Sequence, residues 1–335
     1  MILVTGGTGL VGSHLLVRLI ENGNSVRAIY REGSQLKRVE KIFNYYHENG
    51  SALFKKIEWK VAELNDIFAL ENVFESINYV YHAAALISFD PSKFNILLQT
   101  NANGTANMVN LCIANKVKKI CYVSTIGTIG KSIKGGLATE ENEWNDQHVN
   151  VYALSKYAAE MEVWRGTQEG LPAVIVNPGV IIGPGFWESG SGALFTTANK
   201  GYRFYPPGGT GFVSVHDVVQ IMLNLMASDI KNERFIAVAQ NLTFKEILQK
   251  LTSALEKPSP NKPLKFWHLE IARVVDLLWS LVTKKSRKIT KNSIYSMKHR
   301  DDYANEKIKE ALDFEFEALD PIIDFSCNHF LKENH

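Results

Sequence analysis

Tyr152 and Lys156 stand four residues apart at the head of a helical pattern that runs to residue 164. Positions i and i+4 share a helix face, so the phenol and the ammonium point the same way. A free phenol titrates near ~10 and is a poor acid or base at neutral pH. A neighbouring cation favours the phenolate and lowers that value, which suits the pair to proton transfer. A second constellation opens the chain, where the apolar residues 2–4 break into Gly7-x-Gly9-x-x-Gly12 and an amphipathic pattern follows over residues 13–20. Strand, glycine turn and helix in that order are what a dinucleotide site needs. The turn must be tight, the backbone must come close to a pyrophosphate, and free N–H groups at the helix start must face the phosphates. Between the two constellations, Ser124-Thr125 closes a strand-like run. Tyrosine–lysine spacing alone arises by chance in many helices; together the three features favour a dinucleotide-dependent active site.

The elements that must position these residues alternate. Strand-like runs cover residues 2–4, 25–30, 57–62, 79–84, 119–124 and 173–178. Helix-like runs cover 13–20, 34–49, 67–77, 94–115 and 152–164. This order predicts an α/β fold with a doubly wound parallel sheet and helices on both faces. Two glycine- and proline-rich stretches, 179–192 and 202–212, read as binding loops. A late helix over 213–226 and a strand over 233–239 are expected to rejoin the sheet, and from residue 242 the chain reads as mainly helical. The expected division is a nucleotide-binding domain, 1–176 plus about 212–240, and an interleaved substrate domain, 177–211 and 241–335.

Composition narrows the function classes. The 335 residues are 45% hydrophobic and 21% charged, which is ordinary for a globular chain, and the net charge of +2 gives little field for nucleic acid. Three cysteines without ligand spacing, and nine scattered histidines, suggest reduced thiols and no metal centre. The first strand begins at residue 2 and no apolar run is long enough to span a membrane, so the expectation is a soluble, cytoplasmic protein without a cleaved leader. His82, ending an apolar strand, reads as a satisfied core histidine.

The motifs occur in a telling order: Thr5-Gly-Gly-Thr-Gly-Leu-Val-Gly12, Val80-Tyr-His-Ala-Ala84, Asn101-Ala-Asn-Gly-Thr105, Val123-Ser-Thr-Ile126, Tyr152-x-x-x-Lys156, Asn177-Pro-Gly179, Gly183-Pro-Gly185 and Phe212-Val-Ser-Val-His-Asp217. Over nearly its whole length the chain resembles the extended short-chain dehydrogenases/reductases of the epimerase/dehydratase superfamily, which implies a Rossmann sheet domain. The resemblance further implies a triad of Thr125, Tyr152 and Lys156. Thr125 would hydrogen-bond the substrate oxygen, Tyr152 would pass a proton to or from it, and Lys156 would bind the nicotinamide ribose and hold down the tyrosine pKa. Hydride transfer itself belongs to the cofactor. The implied cofactor contacts are Gly6, Gly7, Thr8, Gly9, Leu10, Val11 and Gly12, then Glu63, Leu64, Ala83, Ala84 and Ala85, then Pro178, Gly179 and Val180. Ser124 stands either beside the nicotinamide or as a strand-end hydroxyl bonded to backbone. Asp217 belongs to a motif that anchors the substrate domain.

An NAD enzyme usually carries an acid at the end of the second strand, to bind the adenosine ribose hydroxyls. This chain has Tyr30-Arg31, and a forked, permanently charged guanidinium suits a 2′-phosphate. Arg38 falls where similar dihydroflavonol reductases carry a second basic residue, so NADP(H) is favoured over NAD(H). Other readings are that Arg31 stacks on adenine and that Glu32 turns inward to serve NAD. Ala62-Glu63-Leu64 departs from the family's Gly-Asp-Leu and puts the adenine contact in question.

Sugar epimerases and dehydratases commonly carry a phosphate-binding arginine shortly before the Phe-Val-x-Val-x-Asp motif, where this chain has Gly209-Thr210-Gly211. Losing a forked donor for a diphosphate weakens that reading. Phe186, Trp187, Tyr202 and Phe204, with Phe195 and Tyr205 nearby and Phe266, Trp267 and Trp279 further on, suggest a wall for an apolar or aromatic carbonyl compound; ordinary core packing is the rival reading for each. This pattern is similar to dihydroflavonol reductases and 3β-hydroxysteroid dehydrogenases. The expected activity is therefore NADP(H)-dependent reduction of an apolar carbonyl or oxidation of its alcohol. An NAD-dependent sugar epimerase or dehydratase and a non-catalytic NADP-sensing protein are the alternatives. Residues 271–282 form an apolar helix followed by Lys284, Lys285, Arg287, Lys288 and Lys291, a pattern that can lie on an anionic membrane, though in similar proteins this region forms a lid, substrate domain or oligomer contact. Similar proteins are often homodimers.

Overall fold

The computed structural model describes residues 1–132, 136–283, 287 and 289–334. Its strands are β1 (Ile2–Thr5), β2 (Val26–Tyr30), β3 (Glu58–Val61), β4 (Tyr79–His82), β5 (Lys119–Val123), β6 (Ala173–Pro178), β7 (Val180–Ile182), β8 (Phe204–Tyr205), β9 (Gly209–Ser214), β10 (Glu233–Ala237), β11 (Gln240–Thr243) and β12 (Lys262–Pro263). Seven of them form a sheet in the order β10-β6-β5-β4-β1-β2-β3, every pair parallel. The fold is thus the doubly wound α/β sheet that the alternating pattern predicts.

Near-continuous apolar runs mark strands buried on both faces, and β5 and β6 are buried along their whole length. One face packs Leu15, Leu16 and Leu19 of helix Leu10–Glu21, Ile42 and Phe43 of helix Leu36–Tyr46, and Val218, Ile221 and Leu225 of helix Val215–Ala227. The other packs Leu70, Met108, Val109, Cys112, Ala159 and Val163. Ile2 of β1 registers with Val26 of β2 on one side and Tyr79 of β4 on the other. The chain order therefore reverses between β1 and β4, and in such sheets ligands bind in the crevice at the strands' carboxyl ends there.

A smaller sheet holds β9 between β7, parallel to it, and β11, antiparallel. The two stretches read as loops thus contain ordered strands. Glycine is the reason, since it signals a turn in sequence yet here admits close backbones. A Cβ on Gly179 would lie 2.4 Å from the Gly211 carbonyl oxygen, and one on Gly209 2.6 Å from that of Leu242. Around this sheet Ile182, Trp187, Phe195, Phe212, Ile247, Leu251, Ile322 and Phe330 form a third core cluster. Beyond β11 the chain is mainly helical, with helices Phe244–Ala254, Phe266–Thr283, Lys291–Lys298, Glu306–Leu312 and Leu319–Asn334, and β12 pairs in parallel with β8.

Candidate active site

The glycine turn sits at the crevice between β1 and β4. Gly6 has φ +73, and a Cβ there would meet the Ala83 carbonyl carbon at 2.6 Å. A Cβ on Gly12 would lie 2.1 Å from the Gly6 carbonyl oxygen. Gly9 N–H donates to Gly6 O at 2.9 Å, closing the turn. Gly9 is also the N-cap of helix Leu10–Glu21, which has no side-chain cap and no acid in its first turn. Its leading N–H groups are therefore left for an anion, with the positive end of the helix dipole behind them. Thr8, Leu10 and Val11 are half-buried along this turn, Gly7 is buried against Leu16, and Ala83 and Ala84 face it from the end of β4. Backbone, dipole and space fit a dinucleotide pyrophosphate.

Tyr152 lies in the first turn of helix Val151–Gln168, whose N-cap Asn150 accepts from Ala153 N at 2.9 Å. Its ring is half-buried and packs edge-on against Phe89 at 5.9 Å. One turn on, Lys156 is buried; its Nζ donates to Tyr122 Oη at 2.5 Å and to Val123 O at 2.8 Å. This pins the helix to the carboxyl end of β5, two residues before Thr125. Thr125 Oγ1 accepts from Gly127 N at 3.2 Å, and a Cβ on Gly127 would sit 3.1 Å from the Ala153 methyl, so the threonine turn rests against the helix start.

Burial pushes the Tyr152 phenol up to about 12 and the Lys156 ammonium down to about 7, the latter opposed by the charge of Glu160. The expected lowering of the tyrosine is thus reversed. The cause is burial of the phenol itself, while the lysine directs its protons to Tyr122 and Val123.

The Ser124 hydroxyl is bonded to side chains rather than to backbone. It donates at 2.6 Å to Glu160 Oε2, a fully buried carboxylate. The same oxygen accepts from Thr128 Oγ1 at 2.8 Å and Asn177 Nδ2 at 3.0 Å, while Oε1 pairs with Arg234 at 3.2 Å. Spacing held one hint of this hub, because 152, 156 and 160 fall on one helix face. Asn101 is a second residue the sequence left without a role. Its side chain accepts from Leu86 N at 2.7 Å and donates to Leu86 O at 3.0 Å and Ser155 Oγ at 2.9 Å, tying the loop after β4 to the tyrosine helix. It lies in a π-helical turn, Leu98–Asn103, a form often found at functional sites. His82 is buried with Nδ1 2.6 Å from Thr5 Oγ1 and Nε2 3.0 Å from Thr105 Oγ1. Burial lowers it to about 3, with the Lys156 charge adding to the effect, so it is a neutral core histidine.

At the far end of the crevice, Arg31 follows β2 and is exposed. Arg38 lies over the Phe186 ring at 5.5 Å and 3.9 Å from Glu188. Glu63 is exposed, and Leu64 is buried with its carbonyl accepting from Asn107. Pro178 is buried at the end of β6, and Gly179 and Val180 are half-buried just beyond it. Ala85 is exposed. The aromatic residues divide. Phe186, Trp187 and Phe195 are buried in the core clusters, with Trp187 packed on Phe195 and Phe330 and donating to Glu333 at 2.9 Å. In the fold these three rings are packed among core side chains, which is the rival reading of their apolar type. Tyr202 and Phe204 are exposed. Phe89, not anticipated, is the aromatic ring that touches Tyr152. Asp217 is buried in the cap of helix Val215–Ala227 and accepts from Glu317 N at 3.2 Å.

A family model described as NAD dependent epimerase/dehydratase family matches residues 2–238. The chain is 26% identical over 262 residues to sterol demethylase protein B of Methylococcus capsulatus, covering 77% of this chain and 75% of that one. It is 25% identical over 281 residues to dihydroflavonol 4-reductase of Dianthus caryophyllus, covering 78% and 75%. In fold it is similar to the crystal structure of UDP-glucose 4-epimerase from Thermotoga maritima, with a TM-score of 0.74 and 22% identity over 100% of this chain and 99% of that one.

Proposed function

The chain belongs to the NAD dependent epimerase/dehydratase family and is an NAD(P)-dependent oxidoreductase-type enzyme; within it, we propose an NADP(H)-dependent reductase that interconverts the carbonyl and alcohol of a fairly apolar small molecule. The observation that carries this reading is the Tyr152 phenol at a helix start, one turn ahead of a buried lysine anchored to the strand end beside Thr125. The preference for NADP(H) is supported by Arg31, exposed where an NAD enzyme usually has an acid. The preference for an apolar substrate is supported by Gly209-Thr210-Gly211, an uncharged stretch where nucleotide-sugar enzymes commonly carry an arginine, and by Phe89 against the tyrosine.

The turn from Gly6 to Gly12 and the first N–H groups of the following helix would hold the pyrophosphate, Arg31 and Arg38 the 2′-phosphate, and Lys156 the nicotinamide ribose. When bound, the cofactor supplies or accepts the hydride at the substrate carbon. The Thr125 hydroxyl donates a hydrogen bond to the substrate oxygen and fixes its direction. With its pKa near 12, Tyr152 is protonated at neutral pH and delivers its phenolic proton to that oxygen in reduction. Lys156 sets the charge next to the phenolate so formed.

Replacing Tyr152 by Phe removes the proton and little else. Turnover of an NADPH-linked ketone and aldehyde panel should fall about a hundredfold to ten-thousandfold, while a fluorescence titration with NADPH stays unchanged. Wild-type turnover in Y152F would overturn the mechanism. Purification with retained NAD and conversion of a nucleotide sugar would overturn the substrate class.

A further inference from the structure

Helix Phe266–Thr283 is built inside out. Trp267, Ile271, Val274, Val275, Leu278, Trp279 and Val282 recur at steps of three, four and one, so they form one face. All seven are between 46% and 82% exposed. The opposite face carries the polar groups: Arg273, half-buried and bonded to Glu270 at 2.8 Å, and Asp276, which accepts from Ile289 N at 3.1 Å. Such an apolar face is abandoned to water only where something else covers it.

Charge says what covers it. Residues 257–298 hold ten Lys or Arg against two acids, in a chain whose net charge is only +2. Among the described residues of that segment, Lys262, Lys265, Lys291 and Lys298 are exposed on either side of the helix; Lys284, Lys285 and Lys288 of the basic run lie outside the described residues. An apolar helix face with two tryptophans and a cationic margin is the composition of an element that lies in a lipid interface. The helix is about 27 Å long, and its inner face keeps Arg273 and Asp276 on the protein. Among the described residues, no helix is long and apolar enough to cross a membrane. We propose that the Trp267–Val282 face docks on an anionic lipid bilayer surface. Arg287 N donates to Asp90 Oδ2 at 2.8 Å, next to Phe89 and its contact with Tyr152. Resting on the reading of Tyr152 given above, docking would therefore bring the mouth of the site close to the lipid.

Flotation of the full chain with vesicles tests the docking without reference to activity. Vesicles of phosphatidylcholine mixed with phosphatidylglycerol should carry the protein at low salt, release it as salt rises, and bind it better than phosphatidylcholine alone. The double variant I271E/L278E changes two exposed residues. It should partition about tenfold or more weakly, with its melting curve and NADPH titration unchanged. Failure to bind the anionic vesicles, equal binding to both vesicle types, or undiminished binding by the variant would overturn the proposal. So would a dimer in sedimentation that the double variant splits, since a second copy would then be the occupant. An inactive protein that still floats would fault the reading of Tyr152 and leave the docking standing.

Discussion

Lys156 and Glu160 show how charge is managed at single residues. The lysine titrates near 10.5 when unfolded and near 7 in the fold. Between those values the unfolded chain binds more protons, so this group adds stability as pH rises from 7 toward 10.5 and loses it as pH falls through 7. Lys156→Met has no such ionisation. The melting temperature of the wild type relative to this variant should therefore climb across that window, and a flat difference would mean that the lysine is not desolvated as described. Glu160 accepts hydrogen bonds from hydroxyl, amide and guanidinium donors. Glu160→Gln turns an amide donor toward them and leaves Arg234 without its countercharge, which should cost about 3–5 kcal/mol in chemical denaturation. The tyrosine–lysine pair was legible because a helix converts spacing into a shared face. The carboxylate hub was not, because Ser124, Thr128, Asn177 and Arg234 come from separate elements that only the folded sheet brings together.

At the scale of elements, the glycine turn is the place where one added methyl group should separate binding from folding. A Cβ on Gly12 would fall 2.1 Å from the backbone oxygen of Gly6, and that oxygen is held by the Gly9 N–H. The turn can only open, moving the helix start away from the position a pyrophosphate needs. Gly12→Ala should therefore weaken NADPH binding by at least about a hundredfold, whereas the overpacking costs the fold about 1–3 kcal/mol; a calorimetric titration beside a urea melt checks both, and tight binding by the variant would contradict the geometry. The strands of the large sheet could be read because burial on both faces writes them as apolar runs between glycine and polar breaks. β9 could not, since Gly209 and Gly211 carry the signature of a loop and serve instead as the close approaches of a strand. Trp187 and Phe186 were ambiguous for a related reason. Apolar type marks removal from water, and it does not say whether a ligand or the core removes it.

The whole molecule is closed by its last helix. Glu333, near the end of helix Leu319–Asn334, accepts from Tyr45 of helix Leu36–Tyr46, from Trp187 Nε1 at 2.9 Å, and pairs with Lys41 at 3.0 Å. The same helix supplies Ile322, Ile323 and Phe330 to the core around the small sheet. One carboxylate thus joins the C-terminal helix, the loop at residue 187 and a helix of the glycine-turn half. If these parts melt as one unit, a change at either end must be felt at the other. Glu333→Gln keeps the shape but offers one acceptor oxygen to three donors, a loss of about 1–3 kcal/mol. NADPH at a hundredfold over its dissociation constant adds about 2.7 kcal/mol to whatever unfolds together with its site. Thermal melts of wild type and variant, each with and without NADPH, should then show one transition, lowered by the substitution and raised by the nucleotide in both proteins. An early transition in the variant that NADPH does not move would mean that the C-terminal helix unfolds apart from the cofactor half, and that the carboxylate fastens two independent pieces.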